Sequence, residues 1–316
     1  MKLQTQINIP GQEPKIGYDS KLVLLGSCFS ENMGAKLSYF KFQHLQNPFG
    51  ILFHPFAIEK LIQKAVNQYV YTEEDLVFHN EQWHCFDAHS RLSSSHKKDL
   101  LQQLNDSLKQ TFDWLKEASH VIFTYGTSWI YQYKSTGNYV ANCHKIPQRE
   151  FDKKLISADE IQESIQNTLQ LLQQINPSIH CIFTISPVRH LKDGFIENQQ
   201  SKAALITAVH QSISSVKQSA YFPSYELMMD ELRDYRFYDL DMLHPNTLAS
   251  DYIWQRFVKT WVDSSALPVM KKVESLQRNL EHKSFNPRSE AHQKFLAKLE
   301  HQKAELMAQY AHIQFS

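Results

Sequence analysis

The chain has 316 residues, with 33 lysines and arginines against 33 aspartates and glutamates and 42% hydrophobic residues. That length suits one large α/β domain with an extension, or two small domains, and it can bury a core without disulfide or metal staples. The zero formal net charge removes any argument for nucleic acid or an anionic membrane as partner, and no run approaches the ~18 apolar residues of a membrane span.

The N-terminal stretch of residues 1–10 lacks the apolar run of a signal peptide. Cys28, Cys85, Cys143 and Cys181 are widely spaced and form no C-x-x-C pair, which argues against a zinc ribbon and a disulfide scaffold. A reducing cytoplasm with free thiols is the expected setting.

In chain order, residues 21–25 form a short apolar run ending at Gly26, a buried strand. Ser30 then caps an expected helix from Glu31. Strand, tight turn and helix open a βαβ unit. Residues 70–95 are aromatic and His-rich without a long period, an expected strand-and-loop insertion. Residues 97–118 carry Leu100, Leu101, Leu104, Leu108, Phe112 and Leu115 at helical spacing. Residues 120–125 are a second buried strand, ending at Gly126, and residues 131–142 are a hairpin around a turn-rich loop. Residues 158–175 form a helix, and residues 180–185 a third buried strand ending at Ser186 and Pro187. Alternating strands and helices imply a parallel sheet covered on both faces, with ligands beyond the carboxyl ends of its strands.

After Val262 the chain turns charged and helical, over residues 269–280 and 289–310. A narrow stripe of Phe295, Leu296, Leu299, Leu306 and Met307 is expected to pack on the domain or on a second copy in a homodimer. The expected organisation is one domain over residues 1–264, with an insertion at about 70–96, and a helical extension over residues 265–316.

Two segments carry chemistry. Gly26-Ser27-Cys28-Phe29-Ser30 follows a strand and opens a helix, where α/β enzymes hold a nucleophile. A helix N-terminus there lowers a thiol pKa and offers N–H groups to an oxyanion. The bland alternative is a tight turn with a buried cysteine. Asp241-Met242-Leu243-His244 precedes Pro245 and Asn246 and can supply a general base with its orienting carboxylate. The alternative is an ordinary helix start capped by Asn246.

The nucleophile turn near the N-terminus, with D-x-x-H before the last helix of the sheet domain, resembles the SGNH/GDSL hydrolase superfamily. The segment from Gly26 to Ser30 looks most like its GSCFA branch. So do Asn47-Pro48-Phe49-Gly50, Gly126-Thr127-Ser128-Trp129, Asn142-Cys143-His144-Lys145, Ser186–His190, and residues 221–238 leading into Asp241. The resemblance spans roughly residues 20–260. It implies a three-layer sandwich on a parallel sheet and a triad of Cys28, His244 and Asp241. Cys28 falls on the usual serine and Ser27 on the usual aspartate, and a shift of one residue would make Ser27 the nucleophile. Implied oxyanion donors are the Cys28 and Gly50 N–H groups. Ser128 stands where the third block carries asparagine, and Asn142 is a substitute donor. Loss of an oxyanion donor costs ~100-fold or more in rate.

Arg189 follows the third strand and either binds an anionic substrate group or pairs with Asp234 or Glu231. His84, Cys85, Asp87 and His89 are capable ligands at a spacing that matches no regular zinc motif, so no metal and no cofactor is expected. His89, Ser90 and Arg91 are expected at the pocket rim. Residues 230–238 read as a solvated helix with an Asp230–Arg233 pair, with Tyr225, Glu226 and Tyr235 near substrate. The expected function is hydrolysis or transfer of an acyl ester, with an O-acyl carbohydrate as substrate and Trp83, Phe86, Trp129 and Tyr131 stacking on the sugar. The rival is a non-catalytic binding or scaffold protein on the same fold.

Overall fold

In strand β1 (Lys21–Gly26), Leu22 and Leu24 point into one apolar cluster while Val23 and Leu25 point into another. A strand apolar on both faces needs a layer of helices on each side. The computed structural model of the protein, which describes residues 4–214, 216–282 and 285–315, supplies both layers. After β1 come α1 (Cys28–Tyr39), β2 (Gln43–Gln46) and α2 (Pro55–Val66), then a hairpin of β3 (Leu76–His79) and β4 (Gln82–Cys85). The chain continues through α3 (Lys97–Glu117), β5 (His120–Tyr125), β6 (Trp129–Tyr133), β7 (Tyr139–Val140), β8 (Phe151–Leu155), α4 (Ala158–Ile175) and β9 (His180–Ile185). It closes with α5 (Phe195–Ile213), β10 (Ser219–Tyr221), the single turn α6 (Ser224–Glu226), α7 (Thr247–Trp261), α8 (Ala266–Glu281) and α9 (Glu290–Gln309).

The main sheet has the order β10-β9-β5-β1-β2, with every pairing parallel. Helices α2, α3, α4 and α5 cover one face through residues such as Leu61, Leu104, Ile165 and Leu205. Helices α1, α7, α8 and α9 join the cluster on the other through Phe29, Phe257, Val273 and Leu306. The result is the expected three-layer α/β sandwich. Chain direction across the sheet reverses between β1 and β5, and such a switch point opens a crevice at the carboxyl ends of the strands.

The insertion folds as the β3–β4 hairpin, turned by Asn80 and Glu81 at φ 47 and 60°. The hairpin expected at residues 131–142 forms as β6 and β7, and β8 adds a third antiparallel strand on its other edge. Leu299 and Leu306 of the tail are buried within the chain. The charged stretch near residue 230 is no solvated helix. Its helical path ends at Leu232, and Glu231 is buried, accepting from the Tyr252 hydroxyl at 2.5 Å and lying 3.5 Å from Arg256. Among the described residues no helix is long and apolar enough to cross a membrane.

Candidate active site

The crevice between β1 and β5 is built on a turn that only glycine can make. Gly26 sits at φ +146°, and a Cβ there would lie 2.2 Å from the Thr124 carbonyl oxygen on β5. Its N–H donates to Asn47 Oδ1 at 2.9 Å, and its carbonyl accepts from the Leu52 N–H at 3.0 Å. The segment after β2 is thereby fastened to the end of β1. The Ser27 N–H continues the ladder to the Thr124 carbonyl at 3.0 Å.

Helix α1 therefore starts at Cys28, two residues before the expected cap, and Ser27 occupies the cap position without a side-chain cap bond. Ser30 is buried inside the first turn instead. Ser27 is completely buried, and its hydroxyl has no partner among the described residues. Cys28 is half-buried, and the N–H groups of Cys28 and Phe29 point at its sulfur. Burial pushes its thiol above the ordinary value, the Lys202 charge and those two N–H groups pull it down, and Glu31 pushes it up. The net direction is upward, opposite to the lowering expected from the helix terminus alone, because desolvation outweighs the amides.

At the other flank, the loop before α7 carries Asp241 and His244. His244 Nδ1 meets Asp241 Oδ2 at 2.5 Å, and Asp241 Oδ1 accepts the Leu243 and His244 N–H groups at 2.9 Å each. Those two amides and the ring hold the Asp241 carboxyl down at about 2. The turn places Met242 at φ 60°. Asn246 caps α7, accepting from the Ala249 N–H at 3.1 Å. Both readings of this motif thus hold together: Asn246 starts the helix, and Asp241 orients the imidazole just before it. Both side chains are nearly half exposed. Among the described residues neither Ser27 nor Cys28 hydrogen-bonds to His244.

A model described as the GSCFA family matches residues 21–257. The chain belongs to the GSCFA family. A second model, the GSCFA domain protein C-terminal domain, matches residues 273–316, which hold most of α8 and all of α9. No curated protein matches the chain. Among solved structures it is similar to a carbohydrate esterase family 3 from Talaromyces cellulolyticus, at 10% identity, 80% of this chain, 98% of that chain and a TM-score of 0.38. It is also similar to an acetyl xylan esterase from the rumen bacterium Butyrivibrio proteoclasticus, at 10% identity, 77% of this chain, 64% of that chain and a TM-score of 0.39.

The oxyanion donors expected of this GSCFA chain are mostly spent elsewhere. The Gly50 N–H donates to the Asn47 carbonyl at 2.7 Å, closing a tight turn with Gly50 at φ +72° against His89. The Gly126 N–H donates to the Phe53 carbonyl at 2.8 Å. Ser128 is fully buried. Its N–H donates to Ser201 Oγ at 2.7 Å and its hydroxyl to the Ser201 carbonyl at 3.2 Å, so it faces α5 and not the crevice. Asn142 Oδ1 accepts the His144 N–H at 2.8 Å. The N–H groups of Cys28 and Phe29, at the first turn of α1, remain beside the Cys28 thiol.

Arg189 pairs with neither Asp234 nor Glu231. It donates to the Tyr238 hydroxyl at 3.2 Å, and no carboxylate among the described residues comes within ion-pair distance. His84, Cys85, Asp87 and His89 are not gathered at one point. His84 bonds Ser93 Oγ at 2.5 Å and the His79 carbonyl at 3.0 Å, and Asp87 pairs with Lys60 at 2.6 Å and Lys64 at 2.8 Å. Arg91 pairs with Glu31 on the first turn of α1, which draws the rim loop toward Cys28. Trp83 packs on Phe78 and Lys97, and Phe86 on Tyr133, within the small hairpins.

Two residues were given no role in the sequence reading, His190 although it closes a quoted motif and Lys202 altogether. His190 has an Nε2 that is buried without a partner among the described residues, and burial, then the charges of Lys202 and His244, push its imidazole down to about 3. Lys202 is fully buried on α5, with Nζ donating to the Gly126 and Ser186 carbonyls at 2.8 Å each. Its signal lay in the helical period. Lys202 falls on the same stripe as Asn198, Leu205 and Val209, all buried.

Proposed function

We propose that this chain catalyses acyl transfer from a small acyl ester through a thioester on Cys28. The observation that carries the reading is the His244 Nδ1 to Asp241 Oδ2 pairing at 2.5 Å, which leaves Nε2 as the basic nitrogen of a ring held in one orientation. The reading is supported by the place of Cys28 directly after β1, at the carboxyl edge of the sheet, and by the place of Asp241 and His244 in the loop before α7. Cys28 is favoured over Ser27 because Cys28 is partly exposed while Ser27 is fully buried.

In the first step Sγ attacks the carbonyl carbon of the ester, and His244 Nε2 takes the thiol proton as the S–C bond forms. Asp241 stabilises the resulting imidazolium. The oxyanion is met by the N–H groups of Cys28 and Phe29 at the α1 terminus. The C–O bond to the leaving alcohol breaks, and His244 returns the proton to that oxygen. Water or a second hydroxyl then attacks the thioester by the same route. For the acyl donor we favour an O-acyl carbohydrate, with Trp129 and Tyr131 on β6, both half-exposed, as stacking faces. The four free thiols suit a reducing cytoplasm.

A second reading, a binding protein without turnover, is favoured by the upward push on the Cys28 thiol and by the engagement of Gly50 and Ser128. The deciding experiment is hydrolysis of 4-nitrophenyl acetate by the native, Cys28→Ala and Ser27→Ala proteins, with mass spectrometry of the quenched native reaction. Turnover lost only in Cys28→Ala, with an acetyl group trapped on Cys28, supports acyl transfer. Turnover that survives Cys28→Ala overturns it, and folded protein with no turnover at all favours the binding reading.

A further inference from the structure

We infer that Lys202 is a positioning residue of this site: its buried amine, held by the carbonyls that follow β5 and β9, is the counter-ion, when protonated, for a thiolate on Cys28. The inference rests on the reading of Cys28 as the nucleophile.

The argument begins with cost. A fully buried ammonium that lacks a carboxylate partner is destabilising by several kcal/mol, and a methionine would fill the same volume at no such cost. Lys202 is 0% exposed, and no carboxylate among the described residues lies within ion-pair distance of it. Its two bonds at 2.8 Å, to Gly126 and Ser186, satisfy two of its three N–H groups. Both acceptors lie at the rim of the crevice. Gly126 packs so closely that a Cβ on it would meet Ser27 Cβ at 3.2 Å and His190 Nε2 at 3.1 Å. The carbonyl clamp thus holds the Lys202 amine on the backbone of Gly126, the residue that packs against Ser27.

The charges that face it come from every neighbouring element. Helix α1 contributes Cys28, on which Glu31 also bears, the segment after β9 contributes His190, and α6 contributes the Tyr225 ring, whose centroid is 5.5 Å from Nζ and on which Arg189 bears. The loop before α7 contributes His244, acting on His190. Of these groups, Cys28 is the one whose ionisation gives a negative charge where acyl transfer needs one. The two titrations are linked: burial brings the Lys202 amine down to about 7 and Cys28 pulls it up, while Lys202 pulls the Cys28 thiol down. Forming the pair moves the Sγ proton to the Lys202 amine where that amine is neutral, or to His244 or solvent where it already carries its proton, so thiolate and ammonium stand together.

The test is the pH profile of iodoacetamide alkylation at Cys28 in the native protein and in Lys202→Met. Loss of the counter-charge is expected to move the alkylation midpoint up by about one pH unit or more, a roughly tenfold loss of thiolate at neutral pH. An unchanged midpoint in a folded Lys202→Met protein would overturn the inference. Should that variant fail to fold, the reciprocal measurement decides: the lysine signal of lowest midpoint in an NMR titration of ¹³Cε-lysine-labelled native protein and of Cys28→Ala. Removing the thiol is expected to lower that midpoint, and identical titrations would overturn the inference. Ester turnover is scored separately. A linked Cys28–Lys202 titration without turnover leaves the counter-charge standing and removes the acyl-transfer reading.

Discussion

Substituting alanine for Gly26 challenges the turn that delivers Cys28. Two costs follow from the backbone. At φ +146° an alanine carries about 1–3 kcal/mol of strain, as for residues held in sparsely populated regions. Its Cβ would sit 2.2 Å from the Thr124 oxygen, 2.8 Å from the Thr124 carbonyl carbon and 2.9 Å from the Thr124 nitrogen, all backbone atoms that cannot rotate away. Displacing β5 from β1 to relieve that clash adds about 1–3 kcal/mol, the usual cost of overpacking. Gly26→Ala is therefore expected to lose about 2–6 kcal/mol of unfolding free energy in urea, followed by tryptophan fluorescence. Gly17→Ala is the control, because nothing lies within 4 Å of its Cβ position. It is expected to stay within about 0.5 kcal/mol of the native protein. A Gly26→Ala midpoint indistinguishable from that of Gly17→Ala would refute the steric account of the turn.

Asp241→Asn keeps an oxygen for the Leu243 and His244 N–H groups but cannot accept from His244 Nδ1, so the fold is expected to persist while kcat for 4-nitrophenyl acetate falls about 100- to 10,000-fold; undiminished kcat would remove His244 from the proton path. Because the Asp241 carboxyl is held at about 2 against an ordinary 3.8, its pairing is complete above pH 3.8 and is lost only as pH falls through about 2. Asp87→Ala strips the partner from Lys60 and Lys64 and is expected to cost about 3 kcal/mol in urea unfolding. The Asp87 carboxyl lies below its ordinary value through those two lysines, although burial opposes them. Its contribution is therefore full at neutral pH and fades as pH falls through the lowered value. Native and Asp87→Ala stabilities should converge in acid, and a constant gap from pH 7 to acid would show that the ion pairs are not its source.

The amino-acid sequence by itself determined the parts of the fold that local pattern can specify. Short runs rich in Val, Ile and Phe marked β5 and β9, where even the Thr124 and Thr184 positions are buried because both faces of the strand are covered. The period of Ile161, Ile165, Leu169 and Leu172, with Ser157 and Glu160 closing a capping box, likewise marked α4. The Gly26–Cys28 turn and the Asp241–His244 pair were legible because their residue types and order carry the chemistry. Tertiary structure decided the rest. Strand β2 reads Gln-His-Leu-Gln and buries only Leu45, so parallel pairing with β1 makes it a strand, not its own pattern. Ser128 was placed in the oxyanion hole by its position in the chain, yet α5 packs against it and takes both its polar groups. Lys202 lies 174 positions from Cys28 in the chain, and only the stacking of α5 on the ends of β5 and β9 brings its amine to the Gly126 and Ser186 carbonyls. Local pattern fixes which faces must be buried; which side chains meet at the ends of the strands depends on contacts between segments that the chain's own periodicity does not encode.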